Sequence, residues 1–385
     1  MRSLRFAVLV LLLTTTACGS SAPSGGAPAN AVPPLNVRVL AGGMEHPWDI
    51  GFLPDGSGLV TQRPGELALV GPEPGPPRPV RADLGDVHDR GEGGLMGLLV
   101  HPDFASNRQF ITCQTHQENG TAVDIRLVRW RLAEDGTSAR RMGDLLTGLP
   151  INPSGRHSGC RPELGPDGAL LVSTGDTARA PVSQDRTSLG GKVLRMDIDT
   201  GAPLPDNPFI NSPNPAERRV QSYGHRNPQG LALHPDGRVF VAEHGPDVDD
   251  EVNVLRAGGN YGWDPSRGGE EDSYDESVPM TDLQRFPEAV PAAWSSGSST
   301  EAICGAEILT GEQWGDLDGA LAVPALKGSK LLIFRTSPEG VERPAVPAEL
   351  DDTHGRLRAA RQGPDGALYV TTSNGTDDQV LRITR

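Results

Sequence analysis

Four short stretches of the sequence concentrate residues able to move protons, hold cations or bind anions. The first is Arg156-His157-Ser158-Gly159-Cys160-Arg161. A histidine in a Gly/Ser-rich turn is a candidate general base, because imidazole titrates near neutral pH. The second, Tyr223-Gly224-His225-Arg226-Asn227-Pro228-Gln229-Gly230, places donors and acceptors on a backbone stiffened by proline. The third runs from Glu243-His244-Gly245-Pro246 into Asp247-Val248-Asp249-Asp250-Glu251, and Gly259-Asn260-Tyr261-Gly262-Trp263 follows. Carboxylates this close repel one another unless they are solvated or hold a cation. Oxygen ligands suit Ca²⁺ or Mg²⁺ rather than zinc. The spacing lacks the glycine and distal glutamate of an EF-hand loop, so pattern alone leaves a solvated loop and a metal site equally open. The fourth is Gly355-Arg356-Leu357-Arg358. Alternation with period two puts both arginines on one side of a strand, which suits a polycarboxylate or simply a charged strand face.

The elements that must carry these clusters are announced by a recurring phrase: an apolar run, a Pro-Asp-Gly turn, and a second apolar run. It occurs at Pro54-Asp55-Gly56, Pro166-Asp167-Gly168, Pro235-Asp236-Gly237 and Pro364-Asp365-Gly366. A variant stands at Pro102-Asp103-Phe104, and a degenerate copy at Asp316-Leu317-Asp318-Gly319. Proline presets φ at the second turn position, aspartate caps locally, and glycine takes positive φ, so each phrase predicts a β-hairpin. Six hairpins give units of about 58 residues, with room for two further strands in each. Four-stranded units repeated around an axis make a β-propeller; a sandwich with a recurrent loop is the alternative. The widest gaps follow the third and fourth hairpins, where the unusual residues cluster.

Composition agrees with an all-β chain. The 385 residues include 48 glycines and 35 prolines, and hydrophobic residues make up 36%. Lys and Arg total 35 against 50 Asp and Glu, a net charge of −15, which disfavours nucleic acid and anionic lipid surfaces as partners. Four cysteines without CxxC spacing are neither a disulfide scaffold nor a zinc site. At the start, Arg2 and Arg5 precede the apolar run Phe6–Leu13, and small residues lead to Cys18. That pattern predicts an export signal over 1–17, with Cys18 resembling a lipoprotein cysteine, and a Gly/Ser/Pro tether over 18–35. The folded domain is then 36–385. The membrane is reached only through the lipid, on the outer face of a bacterial cell membrane.

Read in order, further phrases complete a pattern. They are His-Pro-Trp-Asp-Ile at 46–50, Gly-Gly-Leu-Met-Gly with His-Pro-Asp-Phe at 93–104, and His157 with Arg161. Ser-Leu-Gly-Gly-Lys at 188–192, Asp-Asn-Pro-Phe at 206–209 and Gly-His-Arg-Asn-Pro-Gln-Gly at 224–230 follow, then Glu-His-Gly-Pro, Asn-Tyr-Gly-Trp and Gly-Arg-Leu-Arg. Over nearly all of 40–385 this set resembles the soluble quinoprotein sugar dehydrogenases of the glucose/sorbosone dehydrogenase family, nearest the aldose sugar dehydrogenase branch. The resemblance implies a six-bladed β-propeller that holds pyrroloquinoline quinone (PQQ) and Ca²⁺ on its top face. It oxidises an aldose to the lactone and passes electrons to an external acceptor. It casts His157 as the base and Arg226 and Asn227 as quinone contacts, with Arg226 beside the reducible carbonyl. Lys327, Arg356 and Arg358 would pair with cofactor carboxylates, and Trp294 and Ser296 fall where cofactor contacts occur, though Trp-Ser-Ser-Gly departs from the commoner Trp-Pro. Gly245 and Pro246 would offer carbonyls to a bridging Ca²⁺, and Glu251 with the Tyr261 carbonyl would hold a second. Two departures bear on the sugar: Glu92 stands where some members carry a substrate-contacting glutamine, and Arg156 where some place an acid. A cofactor-free binding module, resembling the hedgehog-interacting protein, is the competing class. Retention of His157, Arg226, Asn227, Lys327, Arg356 and Arg358 together favours the enzyme. A Ca²⁺-dependent lactonase would want a central Asp/Asn/Glu cluster that cannot be assembled here.

The blades are expected near 46–90, 91–150, 156–220, 226–290, 300–345 and 355–385, with the N-terminal strand closing the last. Export permits disulfides. Cys113 and Cys160, at the inner ends of neighbouring units, are expected to pair, with Cys160–Cys304 as the rival; Cys304 is expected to be buried and reduced.

Overall fold

The fold is taken from a computed structural model that describes residues 32–269 and 273–385. The export signal, Cys18 and the tether up to residue 31 lie outside the described residues. Leu35, assigned to the tether, is buried in a cluster with Trp314 and Leu350, and Val32 packs against the same cluster.

Six antiparallel sheets surround one axis. Blade 1 is Pro47–Phe52, Gly58–Gln62, Glu66–Val70 and Arg78–Val80, from the axis outward. Blade 2 is Leu95–Val100, Gln109–Glu118, Thr121–Leu132 and Ala139–Leu149. Blade 3 is Arg161–Leu164, Leu170–Thr174, Lys192–Met196 and Val220–Tyr223. Blade 4 is Pro228–Leu233, Val239–Glu243, Glu251–Val254 and Trp294–Ser295. Blade 5 has three strands, Glu307–Ile308, Leu321–Ala325 and Lys330–Phe334, with two isolated bridges, Lys330 to Asp351 and Ile333 to Ala345, at its outer edge. Blade 6, Leu357–Gln362, Leu368–Thr372 and Asp378–Thr384, takes its fourth strand from Asn36–Met44, which pairs from Asn36 opposite Thr384 to Met44 opposite Asp378 with register shifts after Val39 and Ala41. Each inner strand packs on the next and the sixth on the first, so the ring is closed.

The predicted turns form as their chemistry requires. Asp55, Asp167, Asp236 and Asp365 each accept, through Oδ1, the backbone N–H two residues on, at 2.9, 3.1, 3.0 and 3.2 Å. The glycine after each has φ between 76° and 91°. Where Phe104 replaces the glycine, the chain winds into the short helix Phe104–Asn107 and Arg108 takes the left-handed conformation at φ 55°. Blades 2 and 3 share one apolar cluster, and within it Cys113 and Cys160 form the expected disulfide, with a Cα separation of 6.1 Å. Cys304 is buried and free.

The axis is filled by charge. Asp49, fully buried on blade 1, pairs with Arg161 of blade 3 at 2.6 Å and accepts the Leu98 N–H of blade 2 at 3.0 Å. Arg161 Nε donates to the Gln229 carbonyl of blade 4 at 2.6 Å. Arg361 of blade 6 pairs with Glu163 of blade 3 and lies 3.5 Å from Asp49 and 3.7 Å from Glu307 of blade 5. All six blades therefore touch one buried ionic cluster. Removing one partner from such a cluster strands its counter-charge, which typically costs about 3–5 kcal/mol. Asp49→Ala should lose stability on that scale in urea unfolding. Glu73→Ala, at the exposed Arg38–Glu73 pair, should change it by less than about 1 kcal/mol.

Candidate active site

The turns between blades, and those joining second to third strands, converge on one end of the axis. His157 stands in the link from blade 2 to blade 3. Its Nδ1 lies 2.7 Å from Asp176 Oδ1 and 3.2 Å from the Tyr274 hydroxyl oxygen. Asp176 Oδ2 accepts the Trp263 indole N–H and the Tyr274 hydroxyl, both at 2.8 Å. Gly175 makes this approach possible, since a Cβ there would come within 1.9 Å of the His157 carbonyl oxygen. Burial opposes charge on Asp176, but His157, Arg226 and the Tyr274 hydroxyl outweigh it and hold its pKa below the ordinary value. Asp176 is therefore an acceptor only. The imidazole proton belongs on Nδ1, and Nε2 keeps a lone pair with no partner among the described residues.

Arg226 and Asn227 follow in the link to blade 4. The Arg226 N–H donates to Glu243, and Nη1 donates to the carbonyls of His244 at 3.1 Å and Gly245 at 2.9 Å. Nη2 pairs with Glu276 at 2.6 Å, and the guanidinium lies 5.7 Å from the Trp263 ring. Asn227 Oδ1 accepts the Gly159 N–H at 3.2 Å and Nδ2 donates to Glu92 at 2.9 Å, tying the His157 loop to both.

Arg356 and Arg358 share a side as expected, since both reach Ser373, at its carbonyl (3.2 Å) and its hydroxyl (3.5 Å). Arg358 is buried without an ion pair; its Nη1 donates to Gln229 Oε1 at 3.3 Å, and it lies over Trp48 at 5.4 Å, a ring that Arg161 also approaches, at 4.6 Å. Burial lowers its pKa. Lys327 is exposed on the turn between the second and third strands of blade 5.

The acidic stretch is not a solvated loop throughout. Asp250 is fully buried and accepts from the N–H groups of Gly245 (2.8 Å), Glu301 (2.6 Å) and Ala302 (2.7 Å) and from the Thr300 hydroxyl (2.8 Å). It thereby shapes the Gly245-Pro246 turn. Ser296 braces the same residue, accepting the Asp250 N–H at 2.9 Å. Glu251 is buried opposite Glu243 and bonded to Thr281 at 2.9 Å; burial and the Glu243 charge push its pKa up to about 8. Tyr261 stacks on His225 at 4.3 Å. A Cβ at the following Gly262 would come within 2.9 Å of the Asp282 nitrogen and 3.2 Å of Thr281 Cα. No three His, Cys, Asp or Glu side chains gather as a metal site among the described residues.

Trp294 is not brought to this cluster. It belongs to the outer strand of blade 4, and its ring packs 5.1 Å from Phe334 in the apolar layer between blades 4 and 5. Sequence reasoning missed Asp176, Tyr274, Gln229 and Glu276, and gave Trp263 no role. Position carries a signal for Asp176: the residues six to eight beyond each turn glycine reach this face, as Asp176 does after Gly168 and Glu243 to Gly245 do after Gly237. Glu276 bridges Arg226 and Arg156, and Tyr274 lies beside it, on a long excursion without periodicity to read.

Asp176→Asn tests the proton's place. The indole N–H only donates, so the amide oxygen must face Trp263 and the amide N–H₂ must face His157 Nδ1. The imidazole then carries its proton on Nε2. ¹⁵N NMR should show Nδ1–H in the unaltered protein and Nε2–H in the variant.

A family model described as Glucose / Sorbosone dehydrogenase matches residues 44–382. The chain is 30% identical over 353 residues to aldose sugar dehydrogenase YliI of Escherichia coli K12, covering 89% of this chain and 91% of that protein. It is 31% identical over 266 residues to quinoprotein glucose dehydrogenase B of Acinetobacter calcoaceticus, covering 62% of this chain and 54% of the other. The PQQ-bound aldose sugar dehydrogenase of Streptomyces coelicolor superposes with a TM-score of 0.74 at 30% identity, over 92% of this chain and 99% of that one. With a six-bladed propeller and matches over nearly its whole folded length, the chain belongs to the glucose/sorbosone dehydrogenase family.

Proposed function

We propose that this protein oxidises an aldose at its anomeric carbon to the lactone, using PQQ and Ca²⁺, and passes the electrons to an external acceptor. The observation that carries the reading is the His157 imidazole. It is buried, oriented by Asp176 at 2.7 Å, has its Nε2 lone pair unused, and is tied through Asn227 to the link that carries Arg226.

The residues fit a polyanionic cofactor. In a chain of net charge −15, Arg226, Arg356, Arg358 and Lys327 are gathered at one end of the axis. Arg358 is buried with no carboxylate at ion-pair distance, and Arg226, although paired with Glu276 through Nη2, keeps a buried Nε donor without an acceptor. A buried cation without an ion pair calls for an anion. These four residues and Asn227 would hold the quinone. The carbonyls of Gly245 and Pro246 would face one Ca²⁺, and Glu251 with the Tyr261 carbonyl a second, which fits a buried carboxylate held beside Glu243. When bound, the quinone supplies the hydride-accepting centre and Ca²⁺ a Lewis acid beside it. His157 Nε2 takes the proton of the anomeric hydroxyl, while Nδ1–H keeps donating to Asp176, whose carboxylate stabilises the imidazolium that forms. Arg226, held by the His244 carbonyl and Glu276, presents a positive charge beside the reacting centre.

General-base catalysis is typically worth about 10²–10⁴-fold. His157→Ala should lose turnover by that order in dye reduction with a panel of aldoses, while PQQ binding, followed by fluorescence titration, is retained. Arg226→Ala should lose both. Near-normal turnover in quinone-loaded His157→Ala protein would refute the base, and no aldose-dependent dye reduction under any loading would leave a binding module.

Anchoring at Cys18 on the outer face of a bacterial membrane is part of the same proposal. Cys18→Ala should move the protein from the membrane to the soluble exported fraction; finding the unaltered protein already there refutes it.

A further inference from the structure

Glu92 lies in the link from blade 1 to blade 2, in the tight turn closed by Arg90 and Gly93. Its backbone N–H donates to the Gly155 carbonyl at 3.3 Å, so this turn already rests on the loop that carries His157. The side chain adds three bonds. Oε1 accepts the His157 backbone N–H at 3.1 Å. Oε2 accepts from Asn227 Nδ2 at 2.9 Å and from Gln229 Nε2 at 3.1 Å.

The orientation of both amides is forced from their far sides. Asn227 Oδ1 is taken by the Gly159 N–H, so its N–H₂ must point to Glu92. Gln229 Oε1 is taken by Arg358 Nη1, a group that can only donate, so its N–H₂ points the same way. Three donors therefore converge on position 92. Only an ionised carboxylate accepts at both of its oxygens. An amide there would set an N–H against the His157 N–H or against the two side-chain amides, leaving donors unpaired in a closely packed place. Burial opposes the charge, yet His157, His244 and these donors outweigh it and hold the Glu92 pKa below the ordinary value.

We propose that Glu92 is a positioning residue that latches the His157 loop to Asn227 and Gln229, rather than a residue that recognises the sugar. The proposal rests on His157 being the base. It follows that glutamine, the residue some relatives carry there, is a disruptive replacement in this chain.

The test is Glu92→Gln in the full protein loaded with PQQ and Ca²⁺. Displacing a base by a fraction of an ångström to an ångström costs up to about 10²-fold. Turnover at saturating sugar should fall about 10–100-fold, with the KM of the best aldose within about threefold of its original value. Hydrogen–deuterium exchange of the backbone amides over 156–160 should speed up at least about tenfold as the latch is lost. A raised KM with unchanged kcat, or unchanged exchange, overturns the proposal in favour of a sugar contact. If Glu92→Gln does not fold, Glu92→Asp, which keeps the charge but reaches fewer donors, is read by the same two measurements. If the unaltered protein turns over no aldose, the dehydrogenase reading fails separately. Exchange over 156–160 then decides the latch alone.

Discussion

Everything in this molecule is arranged around the carboxylate of Asp49. It is fully buried at the axis, and a buried charge is tolerated only when partners surround it. Those partners come from different blades: Arg161, the Leu98 N–H and, more distantly, Arg361. Apolar layers between adjacent blades could be satisfied by an open array of sheets. The axial cluster cannot, because Arg361 stands between Glu163 of blade 3 and Glu307 of blade 5 only when the sixth blade meets the first. Non-directional burial makes the blades adhere; the ionic contacts fix their number and order.

The same cluster passes into the site without a break. Arg161 holds the Gln229 carbonyl, and the Gln229 side chain joins Arg358 to Glu92. Glu92 in turn holds the backbone of His157 and the amide of Asn227. Arg161 and Arg358 both approach the Trp48 ring, so one aromatic side chain supports both cations where no carboxylate reaches Arg358. Rigidity at the axis thus becomes precision at the imidazole, and rigid support is what a proton-transfer site demands. Site residues come from several blade links and from no single element, which is how a propeller places chemistry at one end of its axis.

The fold was legible because one local device, the Asp side chain accepting two residues on beside a left-handed glycine, recurs with little variation. The disulfide followed from blade order alone, since Cys113 and Cys160 belong to neighbouring inner layers. His157, Arg226 and Asn227 drew notice because they stand in short links whose composition is unlike a plain turn, and Arg358, on the inner strand of blade 6, because it alternates with Arg356. Asp176 was not, because nothing local separates it from the many aspartates that cap loops; only its burial against Trp263 and Tyr274 does so. Trp294 was misplaced for a related reason. The segment leading to it makes a long excursion, and sequence proximity to Ser296 hides that its ring faces Phe334. Pattern left the acidic stretch open between solvated charge and a metal site, and neither describes Asp250, which turns inward because four donors await it.

The seam of the ring lies in blade 6, where Asn36–Met44 pairs with Asp378–Thr384. During synthesis the first packed strand is therefore the one that waits longest for its neighbour. Leu40, Ala41 and Met44 can pack early on Ile50, Val60, Ala68 and Val70 of blade 1, but the backbone edge of their strand has no partner until Asp378–Thr384 has emerged. An unpaired strand edge held open that long is a site for mispairing with another copy of the chain. Contacts between residues so far apart in sequence also make closure the slow, cooperative step of assembly. The price of a ring without an open edge is thus levied in time, on the nascent chain.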